Sequence, residues 1–151
     1  MFLVYNAGMS KISVKIKYLS PQAILPVLAT SGSACFDVST PYHVVILGRS
    51  MAKVGTGLAF EVPVGYEMVI RPRGGLSSKG ITIANSPGTL DSDYRGELFI
   101  ILHNTTMEPY QFTPGARIAQ IAVKKVLEIE FLDLPFTDTE RGIGAFGSTG
   151  V

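Results

Sequence analysis

The chain has 151 residues, with 13 basic and 12 acidic side chains and a formal charge of +1, too balanced for a basic nucleic-acid stripe or a polybasic membrane patch. That length suits a single domain over 1–151, able to bury about two thirds of the surface its unfolded chain exposes. Its one cysteine, Cys35, excludes an internal disulfide and fits a reducing compartment; no apolar stretch approaches the ~20 residues of a membrane span, so a soluble, cytoplasmic protein is expected.

The chain opens on MFLVYNAG, apolar but lacking the cationic start and the length of a signal peptide, and residues 1–10 are expected to be a flexible extension. Ile12, Val14 and Ile16 then alternate with Ser13, Lys15 and Lys17, the period of a half-buried strand. Strand-like runs recur at 42–47, 57–62, 66–71, 98–104, 118–123 and 127–132. Pro63-Val64-Gly65, Ser86-Pro87-Gly88 and Pro114-Gly115 punctuate them with turn chemistry. Many short strands at close spacing predict an all-β sandwich or jelly roll. The only helical signal is a single turn at 75–79. From Leu134 onward apolar periodicity is lost, and 134–151 read as a loosely attached arm. With 46% hydrophobic residues and a small β interior, oligomerisation is expected.

Four segments carry chemistry. RPRGGLSSKG (71–80) offers amides, hydroxyls and guanidinium charge within ten residues, which suits a polyphosphate. Its spacing is not that of a P-loop, and alone it reads equally as a turn with surface arginines. In GTLDSDYRGE (88–97), Asp91 is the candidate base, at a strand end just before a turn, from where a carboxylate can polarise a water. Asp93 suits the turn itself. Tyr94 can pack under a sugar and exclude an extra hydroxyl, or serve as a cross-strand aromatic. PGARIAQIAV (114–123) reads as a turn followed by a core strand, from which Gln120 can offer an amide to a phosphate. RGIGAFGSTG (141–150) reads as a lid or as a disordered terminus: its glycines allow close backbone approach, Phe146 has a flat stacking face, and Arg141, Ser148 and Thr149 can hold phosphate oxygens. His43 and His103 sit singly, and no cluster of His, Cys or carboxylates has metal-ligand spacing.

Together with ATSGSACFDV (29–38), these segments resemble, in order, the five motifs of the homotrimeric deoxyuridine triphosphate nucleotidohydrolases, the dUTPases. The likeness runs from about Ala29 to Gly150. It implies a distorted jelly-roll-like β-barrel of the β-clip kind, in a homotrimer whose subunits share three active sites and exchange C-terminal arms. It further implies hydrolysis of dUTP to dUMP and pyrophosphate, which limits uracil in DNA and supplies dUMP for dTTP synthesis, with no nucleic-acid or membrane partner. By the resemblance, Asp91 orients the water that attacks the α-phosphorus, and Asn85 with the backbone of Gly88, Thr89, Leu90 and Tyr94 reads uracil and sugar. Arg73, the amides of Gly74, Gly75, Leu76 and Ser77, and Ser78 and Gln120 take phosphates. Phe146 stacks on uracil beside Gly147, and Arg141, Ser148 and Thr149 clamp the terminal phosphate. Mg²⁺ is held by phosphates and waters, with Asp37 in its outer shell or structural.

Three positions depart from the family pattern. Gly74 replaces a serine whose hydroxyl helps bind the oxygen between the α- and β-phosphates, while Cys35 and Ala145 replace glycines. Two alternatives follow. A nucleotide-binding module that signals through its occupied state with weak catalysis is kept open by Gly74. A dCTP deaminase needs a glutamate where Ile101 stands, and isoleucine cannot shuttle protons.

Overall fold

The computed structural model describes residues 11–145. Within them the chain runs β1 (Lys15–Tyr18), β2 (Phe36–Ser39), β3 (Val44–Ile46), β4 (Met51–Glu61), β5 (Tyr66–Arg71), α1 (Gly74–Ser77), β6 (Ile81–Ile83), β7 (Gly88–Leu90), β8 (Glu97–Asn104), β9 (Tyr110–Phe112) and β10 (Arg117–Lys125). The strands form two four-stranded sheets, ordered β1-β4-β8-β6 and β2-β10-β5-β7, and a ribbon of β3 with β9. Every pairing is antiparallel. The all-β class stands; the sheets remain separate and do not close into one continuous barrel.

Alternation sets the inner faces. In β8, Leu98, Ile100, Leu102 and Asn104 are buried while Phe99 and Ile101 face out, the period-two arrangement of a one-sided sheet. The buried residues meet Val38, Ile46, Leu58, Met68, Ile70 and Ile118 in one core. Truncating a fully enclosed member such as Leu102 to alanine should cost about 2–5 kcal/mol. Polar groups inside are paired: Asn104 Nδ2 donates to the carbonyls of Ile46 (3.1 Å) and Glu108 (2.8 Å), and its Oδ1 accepts from Thr106 N (3.0 Å) and Oγ1 (2.7 Å).

Two features differ from the sequence expectation. The helical turn is Gly74–Ser77 rather than 75–79, capped at Arg73 without a side-chain bond. The run 127–132 forms no strand. The last backbone bond from this stretch to the body is Val126 N to Gly65 O at 2.8 Å, after which Leu127, Ile129, Phe131, Leu134 and Phe136 are exposed. Periodicity reports that one face of a segment is apolar; it does not report where the covering surface lies.

Candidate functional site

The sheet β2-β10-β5-β7 arranges most of the candidate residues. Its register places Asp37 of β2 opposite Gln120 of β10, and Gln120 opposite Arg71 of β5. Residues directly opposite share a face with Cβ atoms about 4.5–5.5 Å apart, so carboxylate, amide and guanidinium form a row. Arg73 lies two residues past β5 and donates from Nε to Asp37 Oδ1 at 2.9 Å. Arg117 donates from Nη1 to Asp37 Oδ2 at 3.0 Å, and its own carbonyl accepts from Arg73 Nη1 at 3.3 Å. Asp37 is only 9% exposed. One buried carboxylate thus holds two arginines, which is how a charged group is accommodated out of water.

Beyond Arg73 the chain turns into α1. The side chain of Leu76 is buried and anchors the turn, while Gly74, Gly75, Ser77 and Ser78 are exposed. The Arg73 carbonyl accepts from the amides of Leu76 (3.0 Å) and Ser77 (2.9 Å), and Ser78 Oγ donates to Gly75 O at 3.2 Å. A cleft of about 370 Å³ opens between α1 and β9, lined among others by Arg73, Gly75, Lys79, Tyr110 and Arg117. Three cationic side chains on one small cleft favour an anion. Gly74 has no heavy atom within 4 Å of where a Cβ would stand, so the missing hydroxyl leaves open space.

Asp91 and Tyr94 lie on a different part of the chain's fold. The segment 88–97 is a corner between sheets rather than a paired hairpin, because β7 pairs with β5 whereas β8 pairs with β4 and β6. Gly88 is opposite Ile70 and Leu90 opposite Met68, so Asp91 leaves β7 toward the Glu67 end of β5, away from Arg71. At about 3.3 Å per residue the two ends are about 13 Å apart along the strand. Tyr94 N donates to Asp91 O at 3.2 Å, closing the turn, and Tyr94 Oη donates to the Glu97 carbonyl at 3.1 Å. Leu90 is buried, whereas Asp91, Thr89 and Asn85 are exposed; Asn85 Nδ2 lies 3.4 Å from the Cβ position of Gly88.

The chain therefore brings Asp37, Arg73, the 74–78 turn and Gln120 together, and keeps Asp91 and Tyr94 apart from them. Arg141 is exposed, and among the described residues its side chain bonds locally, from Nε to Gly144 O at 2.9 Å. Phe146, Gly147, Ser148 and Thr149 lie outside the described residues, as do residues 1–10. Sequence reasoning missed Arg117, and it placed Arg71 in the phosphate motif without foreseeing its position beside Gln120. Arg117 was hidden by the core-strand character of its segment; a buried aspartate in FDVS was the available hint that a cation must meet it. Among the described residues, no group of three or more His, Cys, Asp or Glu could hold a metal, and no helix is long and apolar enough to cross a membrane.

The dUTPase family profile matches residues 21–150. This chain belongs to the dUTPase family. The deoxyuridine 5'-triphosphate nucleotidohydrolase of Nautilia profundicola is 45% identical over 141 residues, covering 92% of this chain and 99% of that protein. That of Helicobacter pylori strain J99 is 41% identical over 142 residues, covering 93% and 98%. Among solved structures, the dUTPase of Staphylococcus bacteriophage 80alpha with dUPNHPP superposes with a TM-score of 0.83 at 25% identity, covering 93% of this chain and all of that one (100%). In this member of the dUTPase family, the segments 71–80, 85–97 and 114–123 fall within the matched span.

Proposed function

We propose that the protein is a dUTP diphosphatase that hydrolyses dUTP to dUMP and pyrophosphate as a homotrimer with shared active sites. The observation that carries the reading is the Asp37 clamp. It presents Arg73 beside the open 74–78 turn and Gln120 as a phosphate-binding end, in a chain whose 45% identical relative is named for this activity. Asp91 accepts a hydrogen bond from a water, aligns it with the α-phosphorus and takes its proton as the oxygen attacks, while pyrophosphate departs. Tyr94 excludes the ribose 2'-hydroxyl, and Asn85 with the backbone of 88–94 reads the uracil edge. Arg73, the amides of Gly74 and Gly75, Ser78 and Gln120 hold phosphates, while the Leu76 and Ser77 amides expected to join them are engaged by the Arg73 carbonyl. Phe146, Gly147, Ser148, Thr149 and Arg141 belong to the arm that covers the nucleotide and excludes water.

The trimer reading rests on incompleteness. The phosphate end and Asp91 are separated within one subunit, and the stretch from Val126 leaves Leu127, Ile129 and Phe131 uncovered. A second copy supplies both the missing half of the site and cover for that apolar stretch. Mg²⁺, carried in by the triphosphate and its waters, supplies charge neutralisation. Asp37, with both oxygens engaged by guanidiniums, acts on the arginines rather than as a ligand.

Pyrophosphate release from dUTP, dTTP, dCTP and UTP, with and without Mg²⁺, tests the proposal. Release confined to dUTP is expected, and ammonia from dCTP would overturn it. The open space at Gly74 favours one second reading, a nucleotide-binding module; tight dUTP binding without pyrophosphate release would establish it instead.

A further inference from the structure

We infer that Gly96 is a positioning residue that sets the orientation of Tyr94 and, through it, the discrimination between deoxyribose and ribose. The inference rests on the proposed sugar-side role of Tyr94. A Cβ on Gly96 would collide with Tyr94 Oη and would lie 2.6 Å from its Cζ and 3.1 Å from its Cε2. The three nearest atoms all belong to Tyr94, so its ring is the first obstacle a side chain at 96 would meet. Gly96 is absent from the glycines with positive φ, so its backbone accepts alanine, and the tight contact that favours glycine there is with the tyrosine ring.

The ring is held from two sides. Its hydroxyl donates to Glu97 O at 3.1 Å, folding the side chain back along the corner, and the bare Cα of Gly96 lets the phenol end lie flat there. The ring remains 43% exposed, so one side is presented outward as a fixed wall. An exposed tyrosine without these constraints samples several rotamers, and a wall that moves does not reject one hydroxyl. A methyl group at position 96 takes the place of the phenol end, breaks the bond to Glu97 O, and swings the ring away from the corner. Cheap rotation of one side chain leaves the fold intact.

The test combines Gly96→Ala, Tyr94→Ala, the double variant, and ¹⁹F-tyrosine labelling, in which the Tyr94 signal among the six tyrosines is assigned by its loss in Tyr94→Phe. Gly96→Ala should shift the Tyr94 resonance and lower the ratio of kcat/KM for dUTP over UTP by about tenfold or more. The double variant should match Tyr94→Ala, since Gly96 acts only through the ring. An unmoved resonance, an unchanged ratio in Gly96→Ala, or an equal loss in both backgrounds overturns the inference. Wild-type protein that hydrolyses no nucleotide overturns the proposed function instead, and the resonance still reports whether Gly96 orients Tyr94.

Discussion

The Nε–H of Arg73 donates to Asp37 Oδ1 at 2.9 Å although the two residues are 36 positions apart, so the orientation of the arginine is decided on a different strand from the one that carries it. Asn at position 37 keeps an acceptor oxygen and loses the charge that Arg73 and Arg117 share. Breaking a charge-assisted pair costs about 1–3 kcal/mol, and the partial exposure of both arginines puts this case at the lower end. Asp37→Asn should therefore fold with a modestly lower Tm and raise KM for dUTP more than it lowers kcat. A variant with wild-type KM and Tm would show that the arginines need no such anchor.

For Asp91 the expectation is the reverse. Asp91 is exposed, and the turn is closed through its backbone carbonyl, which accepts from Tyr94 N at 3.2 Å, so Asp91→Asn leaves the turn intact. The variant should bind a non-hydrolysable dUTP analogue within a few-fold of wild type, while kcat falls by about 10²–10⁴. Calorimetry with the analogue and a pyrophosphate assay separate the two effects; unchanged turnover would remove Asp91 from the mechanism.

Much of this arrangement is legible in the sequence. Alternation marked β8, which has one face in the core, short apolar runs bounded by turn residues marked β5 and β10, and the glycine pair marked the turn at 74. What escaped was pairing between distant positions. Arg117 reaches Asp37 across 80 residues, and strand register, which sets Arg71 beside Gln120, leaves no trace in local periodicity. The segment 127–132 has the apolar pattern of a strand and forms none, since local periodicity does not specify a pairing partner.

Gly74→Ser restores a hydroxyl at a site with nothing within 4 Å of the new Cβ and no left-handed φ, so neither clash nor backbone strain opposes it. If that hydroxyl bonds the bridging oxygen of the leaving group, turnover is preserved or rises, by as much as about 10²-fold if it matches the strongest transition-state donors. Steady-state kinetics on dUTP decide it. A clear loss of kcat would show that this phosphate end is built differently from the family pattern.

Removal of 141–151 separates the arm from the fold. The described part of that segment bonds only to itself and to Thr139: Gly142 N donates to Thr139 O at 3.1 Å, Gly144 N to Arg141 O at 3.0 Å, and Arg141 Nε to Gly144 O at 2.9 Å. None of these bonds reaches the core, and surface changes of this kind shift stability by about 0.5 kcal/mol or less. The truncated protein should melt within about 2 °C of the full chain. Activity should respond quite differently, because an uncovered nucleotide is solvated and poorly aligned, and lost alignment alone costs about 10²-fold. Melting curves and dUTP hydrolysis measured on the same preparation test both halves: a truncation that works at full rate removes the lid from the mechanism, and one that no longer folds places residues 141–151 in the structural body instead.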